Sequence, residues 1–173
     1  MVELVLEDAR GQPVRLDPEL FSVRRNGFDD DRVRPLDAGP IAAQQAFPID
    51  PDDDAGSVST RAAALAVELL DEVLPDPEFR AQPAEGATYA EKITPADREL
   101  DWTRPADELV NRVRALSPHI GARGVVDGRP LLVWKARPAT EDAELVAGGV
   151  ELVEVQPEGR RRMTAAEYLR GLR

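Results

Sequence analysis

The sequence predicts an α/β fragment followed by a small, partly open β-barrel. Three observations predict it. A short apolar stretch bounded by turn residues is followed by one long run of helical period. Beyond residue 120 the period switches from 3.6 to 2. A short helical run then closes the chain. Charge divides at nearly the same place: residues 1–85 carry 8 arginines and no lysine against 19 Asp plus Glu, whereas residues 86–173 balance 14 against 14. The whole excess of acid behind the net charge of −11 therefore lies in the first half. A polyanion is repelled by that half and tolerated by the second.

Residues 1–33 are unassigned and read as lacking regular structure, although "VELVLED" alternates weakly enough to be a strand. "PIAAQQAFPI", 40–49, reads as a largely buried strand. In the following "SVSTRAAALAVELLDEVL", Val58, Ala62, Leu65, Ala66, Leu69 and Val73 recur at helical spacing, and Pro75 ends the run. Asp52, Asp53 and Asp54 precede it, where the positive end of a helix dipole favours negative charge. Three prolines and a glycine without period over 74–92 then mark a linker, placed at 81–100, with a boundary near residue 85.

"TRPADELVNRVRALSP" predicts a second helix, with Thr103 as N-cap, Pro105 in the first turn, and Leu109, Val113 and Leu116 on one face. "ARGVVDGRPLLVWKARP" predicts two strands around Asp127-Gly128, a dipeptide suited to the positive φ angles of a type I′ turn. Strict alternation puts Leu132, Trp134 and Ala136 on one face of the second strand and Lys135 and Arg137 on the other. "GVELVEV" is a further strand, and "MTAAEYLRG" a closing helix with a Thr164–Glu167 capping box and Gly171 as terminator. There is no internal repeat.

The chemistry is sparse. Without cysteine there is neither a disulfide nor a thiolate metal site, and no apolar run approaches the ~18 residues a membrane span needs. With no basic, apolar leader at the N-terminus, a cytoplasmic protein is expected. The single histidine, His119, has no acid or second ligand patterned around it, so neither a triad nor a metal site is expected. Trp102 and Trp134 read as core residues. Arg160, Arg161 and Arg162 form the one basic run, and Asp37 sits at the tight Ala38-Gly39-Pro40 turn ahead of an apolar stretch. On residue chemistry alone a solvated charge run accounts for the arginines. An acid at the tight end of a buried strand is where a general base or orienting carboxylate is often held, and a solvent-facing turn aspartate explains Asp37 about as well.

Taken together, "LDAGPIAAQQAFPI", "DDDAGS", "TYAEKI", "LDW", "RALSPHIGA", "DGRPLLVWKARP" and "ELVEVQPEGRRRMTAAEYLRG" resemble, in order, the later part of the methionyl-tRNA formyltransferase family over residues 36–173. The resemblance implies that 34–80 is the end of a Rossmann-type catalytic domain and 101–173 an OB-like tRNA-binding domain. It implies 10-formyltetrahydrofolate as formyl donor, no metal, and initiator methionyl-tRNA as partner. Asp37 matches the family's catalytic aspartate, and Arg160, Arg161, Arg162, Lys135 and Arg137 fall where tRNA contacts are expected. The family's Asn and His loop has no match in residues 1–36, so the chain is expected to be an N-terminally shortened form with little activity alone, prone to association through uncovered apolar faces. The stretch 136–155 is shorter than in the family by about one hairpin, which predicts an exposed sheet edge. Alternative readings are a non-catalytic RNA-binding module and a related sugar-nucleotide formyltransferase.

Overall fold

The computed structural model describes residues 2–7, 40–76, 78–82 and 92–172. The chain divides into a first unit, Met1–Asp53 with Ser57–Lys92, and a second, Ile93–Arg173 with Asp54–Gly56. The second unit thus starts inside the span that the sequence marks as a linker. Ile93 packs on its core and Leu100 is buried within it, because two apolar side chains among the prolines are enough to fasten the segment.

In the first unit, Val2–Glu7 (β1) pairs in parallel with Ala43–Pro48 (β2), Val2 opposite Ala43. The start of the chain therefore holds a strand where the composition argues against regular structure, and the weak alternation is the truer signal. The rest of 1–33 lies outside the described residues. Nor is β2 largely buried: Phe47 is covered, but Gln44, Gln45 and Ala46 are exposed. Ala55–Val73 (α1) packs Val58 on Phe47, with Ala62, Leu65 and Ile49 around them, so it covers one side of the strand's end only. Val67, Leu70 and Leu74, on and just after α1, are left exposed.

Of the three acids before α1, one does more than complement a dipole. Asp53 is buried, and its carboxylate accepts two bonds from the Arg61 guanidinium at 3.0 Å, one from Ser57 Oγ at 2.7 Å and one from the Asp50 N–H at 2.8 Å. Arg61 also donates to the Pro48 carbonyl at 2.7 Å, so one ion pair ties the end of β2 to the second turn of α1. Burial alone would raise the Asp53 pKa, but the hydrogen bonds from Asp50, Ser57 and Arg61 together outweigh it and hold the group below its ordinary value.

The second unit is an antiparallel sheet covered on one face by helices. Its order is β3 (Ala122–Val126), β4 (Arg129–Pro138), β6 (Val150–Pro157), β5 (Val146–Ala147), and β7 (Met163–Thr164) also pairs with β6. The β3–β4 hairpin turns at Asp127 (φ 50°) and Gly128 (φ 74°), as the dipeptide predicts. A second hairpin, β5–β6, turns at Gly148-Gly149, where the sequence pattern predicts no first strand. The free edge of β3 is partly met by residues 99–100, through the Leu100 N–H to the Arg123 carbonyl at 2.6 Å. The described strands form an open sheet.

Ala106–Leu116 (α2) buries Leu109, Val113 and Leu116 as its spacing predicts. Its N-cap is Pro105, however, without a side-chain bond. Thr103 instead gives its N–H and hydroxyl to Asp101 Oδ1 at 3.0 and 2.7 Å, because the helix starts after Pro105, too far along for Thr103 to cap it. Ala165–Arg170 (α3) carries the predicted capping box, Glu167 N–H to Thr164 Oγ1 at 3.2 Å and Thr164 N–H to Glu167 Oε2 at 2.9 Å. Leu109, Val113 and Leu116 join Leu131, Val133, Val150, Leu152, Val155 and Tyr168 in one core. Trp102 lies against that core over Gly124, where an added Cβ would clash with the ring.

Two outcomes follow. Gly124→Ala should destabilise the second unit by about 1–3 kcal/mol through overpacking, read as a lowered urea midpoint at unchanged m-value. Asp53 titrates lower folded than unfolded, so its contribution should be complete above the unfolded carboxyl pKa of about 3.9 and be lost as pH falls through the lower folded value. Asp53→Asn should abolish that acid-side loss of stability, measured by urea melts between about pH 2 and pH 6.

Candidate functional site

Asp37 lies outside the described residues. His119 is exposed in the turn after α2, far in sequence from any acid that could orient it, and among the described residues no cluster of His, Asp or Glu could hold a metal ion. The candidate residues that can be placed are the cations of the second unit.

Their arrangement is set by an irregularity in the sheet. Between β4 and β6, Val133 faces Val155 and Ala136 faces Leu152, but Lys135 faces Glu154, so Trp134 and Val153 are each an extra residue in their strand. Leu131 and Val133 point to the core before the bulge and Ala136 after it, whereas Leu132 and Trp134 are only partly buried. The expected face of Leu132, Trp134 and Ala136 does not exist, because a bulged residue resets the two-residue alternation.

The five cations then separate. Arg137 is paired with Glu151 across the strands, Nε to Oε2 at 2.7 Å and Nη2 to Oε1 at 2.9 Å. The Arg137 hydrogen bond holds the Glu151 carboxyl below its ordinary value, and the same bond raises the guanidinium. Arg161 is paired with Glu167 at 3.2 Å. Arg162 lies over the Trp134 ring, its guanidinium carbon 3.3 Å from the ring centre, and donates to the Pro118 carbonyl at 2.6 Å. Only Lys135 and Arg160 of the five are exposed without an ion pair among the described residues. Trp134 itself donates from Nε1 to Gln156 Oε1 at 3.0 Å, and its carbonyl accepts from Ser117 Oγ at 2.6 Å.

Arg123 and Arg129, which stand in no basic run, are also exposed without an ion pair among the described residues. Arg123 stands opposite Leu132, which stands opposite Gln156, so it shares a row of the sheet with the group that bonds Trp134. The signal that could have found it is the strict alternation of β3, where Ala122, Gly124 and Val126 are buried and Arg123 and Val125 are not.

Residues 92–150 match the family model described as formyl transferase, C-terminal domain. Most of the second unit thus matches a formyl transferase C-terminal domain. The chain resembles methionyl-tRNA formyltransferases over about four fifths of its length. It is 39% identical to that of Rubrobacter xylanophilus over 161 residues, 79% of this chain and 52% of the relative. It is 40% identical to that of a Methylobacterium species over 164 residues, 82% of this chain and 53% of the relative. The chain thus spans about half the length of these curated relatives. A crystal structure of HypX from Aquifex aeolicus in complex with tetrahydrofolic acid superposes with a TM-score of 0.56 at 20% identity, over 77% of this chain and 28% of that one, which shows a shared fold. No helix of the described residues is long and apolar enough to cross a membrane.

The Arg137–Glu151 pair in the second unit can be checked directly. Carbon-detected NMR titration should place the Glu151 carboxyl below an ordinary glutamate, and Arg137→Ala should move its midpoint upward while leaving Glu167 where it was.

Proposed function

We propose that this chain serves formyl transfer to the amino group of methionyl initiator tRNA, with a 10-formyltetrahydrofolate donor, and that its C-terminal domain lies against the tRNA backbone as a partly open, OB-like barrel. The observation that carries the reading is the identity of about 39% to methionyl-tRNA formyltransferases over four fifths of the chain, on both sides of the division into units. The tetrahydrofolic acid bound to HypX supports a folate-type donor for proteins of this architecture. Exposed cations without ion pairs among the described residues, Arg123, Arg129, Lys135 and Arg160, suit a surface that meets phosphates through sequence-independent contacts.

Within that reading Asp37 keeps the role its motif implies, orienting the groups that take the proton as the methionyl amine attacks the formyl carbon. The chemistry requires more than Asp37. A general base and a donor to the developing oxyanion each contribute orders of magnitude, about 10²–10⁴-fold. The single histidine of the 173 residues is the exposed His119 of the C-terminal domain, so a polypeptide of this sequence is proposed to bind tRNA and to transfer formyl groups poorly by itself.

Arg137 makes a specific contribution to the test, because Glu151 neutralises it. Filter binding should show wild-type chain retaining initiator tRNA at low salt, with a steep loss as salt rises. Glu151→Gln should free the guanidinium and steepen the plot of log K against log salt by about one. Absence of binding at low salt would remove the tRNA-contact reading, and robust turnover of the folate donor by the purified chain would remove the claim of poor transfer.

A further inference from the structure

Resting on the tRNA-contact reading above, we infer that Arg162 is a positioning residue: stacked on Trp134, it fixes the turn at 157–161 so that Arg160 is the cation this turn offers to a phosphate. The basic run would then divide its labour, with one member outward, one neutralised and one folded inward.

Both ends of the turn are tied to the same indole. On one side, Trp134 Nε1 donates to Gln156 Oε1 at 3.0 Å, and Gln156 Nε2 donates to the Arg160 carbonyl at 2.8 Å. The Arg160 N–H closes the turn on the Pro157 carbonyl at 3.0 Å. On the other side, Arg162 covers the ring face at 3.3 Å and reaches the Pro118 carbonyl at 2.6 Å. The ring has little room to move, since it lies over Gly121, where a Cβ would come 2.9 Å from it. Gly121 is at φ +77°, so this close approach and the backbone both suit glycine there.

A guanidinium that is stacked, half-buried and bonded to a carbonyl has lost the freedom to follow a phosphate. Arg161 is neutralised by Glu167. Arg160 alone projects from a backbone held at both ends, and it has no ion pair among the described residues. Fixing its backbone beforehand removes part of the ordering cost of a phosphate contact.

Charge and geometry are separable because lysine keeps the charge of Arg162 but cannot lie as a plane on the indole or fork to Pro118. Initiator tRNA binding across a salt series would be measured for the full chain, for Arg160→Ala, for Arg162→Lys and for the double variant. The Trp134 indole N–H resonance would be followed in parallel and assigned with Trp102→Phe. Arg160→Ala should lower the salt slope by about one and leave that resonance in place. Arg162→Lys should lower the slope by the same amount at unchanged net charge and shift the resonance, and the double variant should lose no more than either single one. An Arg162→Lys slope equal to wild type overturns the inference and leaves the tRNA-contact reading standing. Failure of wild type to bind at low salt overturns both. If circular dichroism shows Arg162→Lys to be unfolded, Gln156→Leu cuts the other tie and decides by the same slope.

Discussion

The second unit depends on the paired irregularity between β4 and β6, where Trp134 and Val153 each interrupt their strand. Had one strand alone carried the extra residue, every later side chain would have changed face relative to its partner. Because both carry one, Val133 meets Val155 before the bulge and Ala136 meets Leu152 after it, with all four buried. The core stays in register while an aromatic side chain is turned out of it. That ring then supplies the platform for the β3 start and the β6–β7 turn, through Gly121, Gln156 and Arg162, while the backbone carbonyl of the same residue takes the Ser117 hydroxyl from the segment after α2.

Most of the elements are legible in the sequence because they rest on local signals. The Asp127-Gly128 turn, the Leu109–Val113–Leu116 stripe and the Thr164–Glu167 capping box each need only residues a few positions apart, and each stands where the sequence predicts it. What fails is whatever depends on a distant partner. Burial of β2 cannot be judged without knowing which face α1 covers, and the inclusion of Ile93 and Leu100 in the second unit follows from a core assembled mostly beyond residue 109. The bulge is the sharpest case. Alternation within β4 gives no hint of it, because the shift becomes visible only once β6 is laid alongside.

The candidate site is less legible for the same reason. A run of three arginines announces charge, but whether a charge is free is decided by its neighbours in space. Glu151 is 14 positions from Arg137, and Pro118 is 44 from Arg162. Two of the five cations singled out from sequence are neutralised and a third is stacked, whereas Arg123, which stands in no basic run and is marked only by the alternation of β3, is exposed. Asp37 lies outside the described residues, and its part in the proposed reaction rests on its motif.

Electrostatics explains why geometry should matter so much at this surface. The chain carries −11 overall, with neutrality confined to residues 86–173. Such a molecule cannot draw in a polyanion by its long-range field, and at physiological ionic strength charges beyond about 8 Å are screened in any case. Affinity for a phosphate backbone then has to come from a few contacts made at short range. Each is worth most when its cation is already in place, since a flexible arginine loses rotamer and backbone freedom on binding. A neutral domain with a handful of exposed cations holds a nucleic acid more tightly where those cations stand on rigid supports, which is why the ties around Trp134 bear on the proposed tRNA contact.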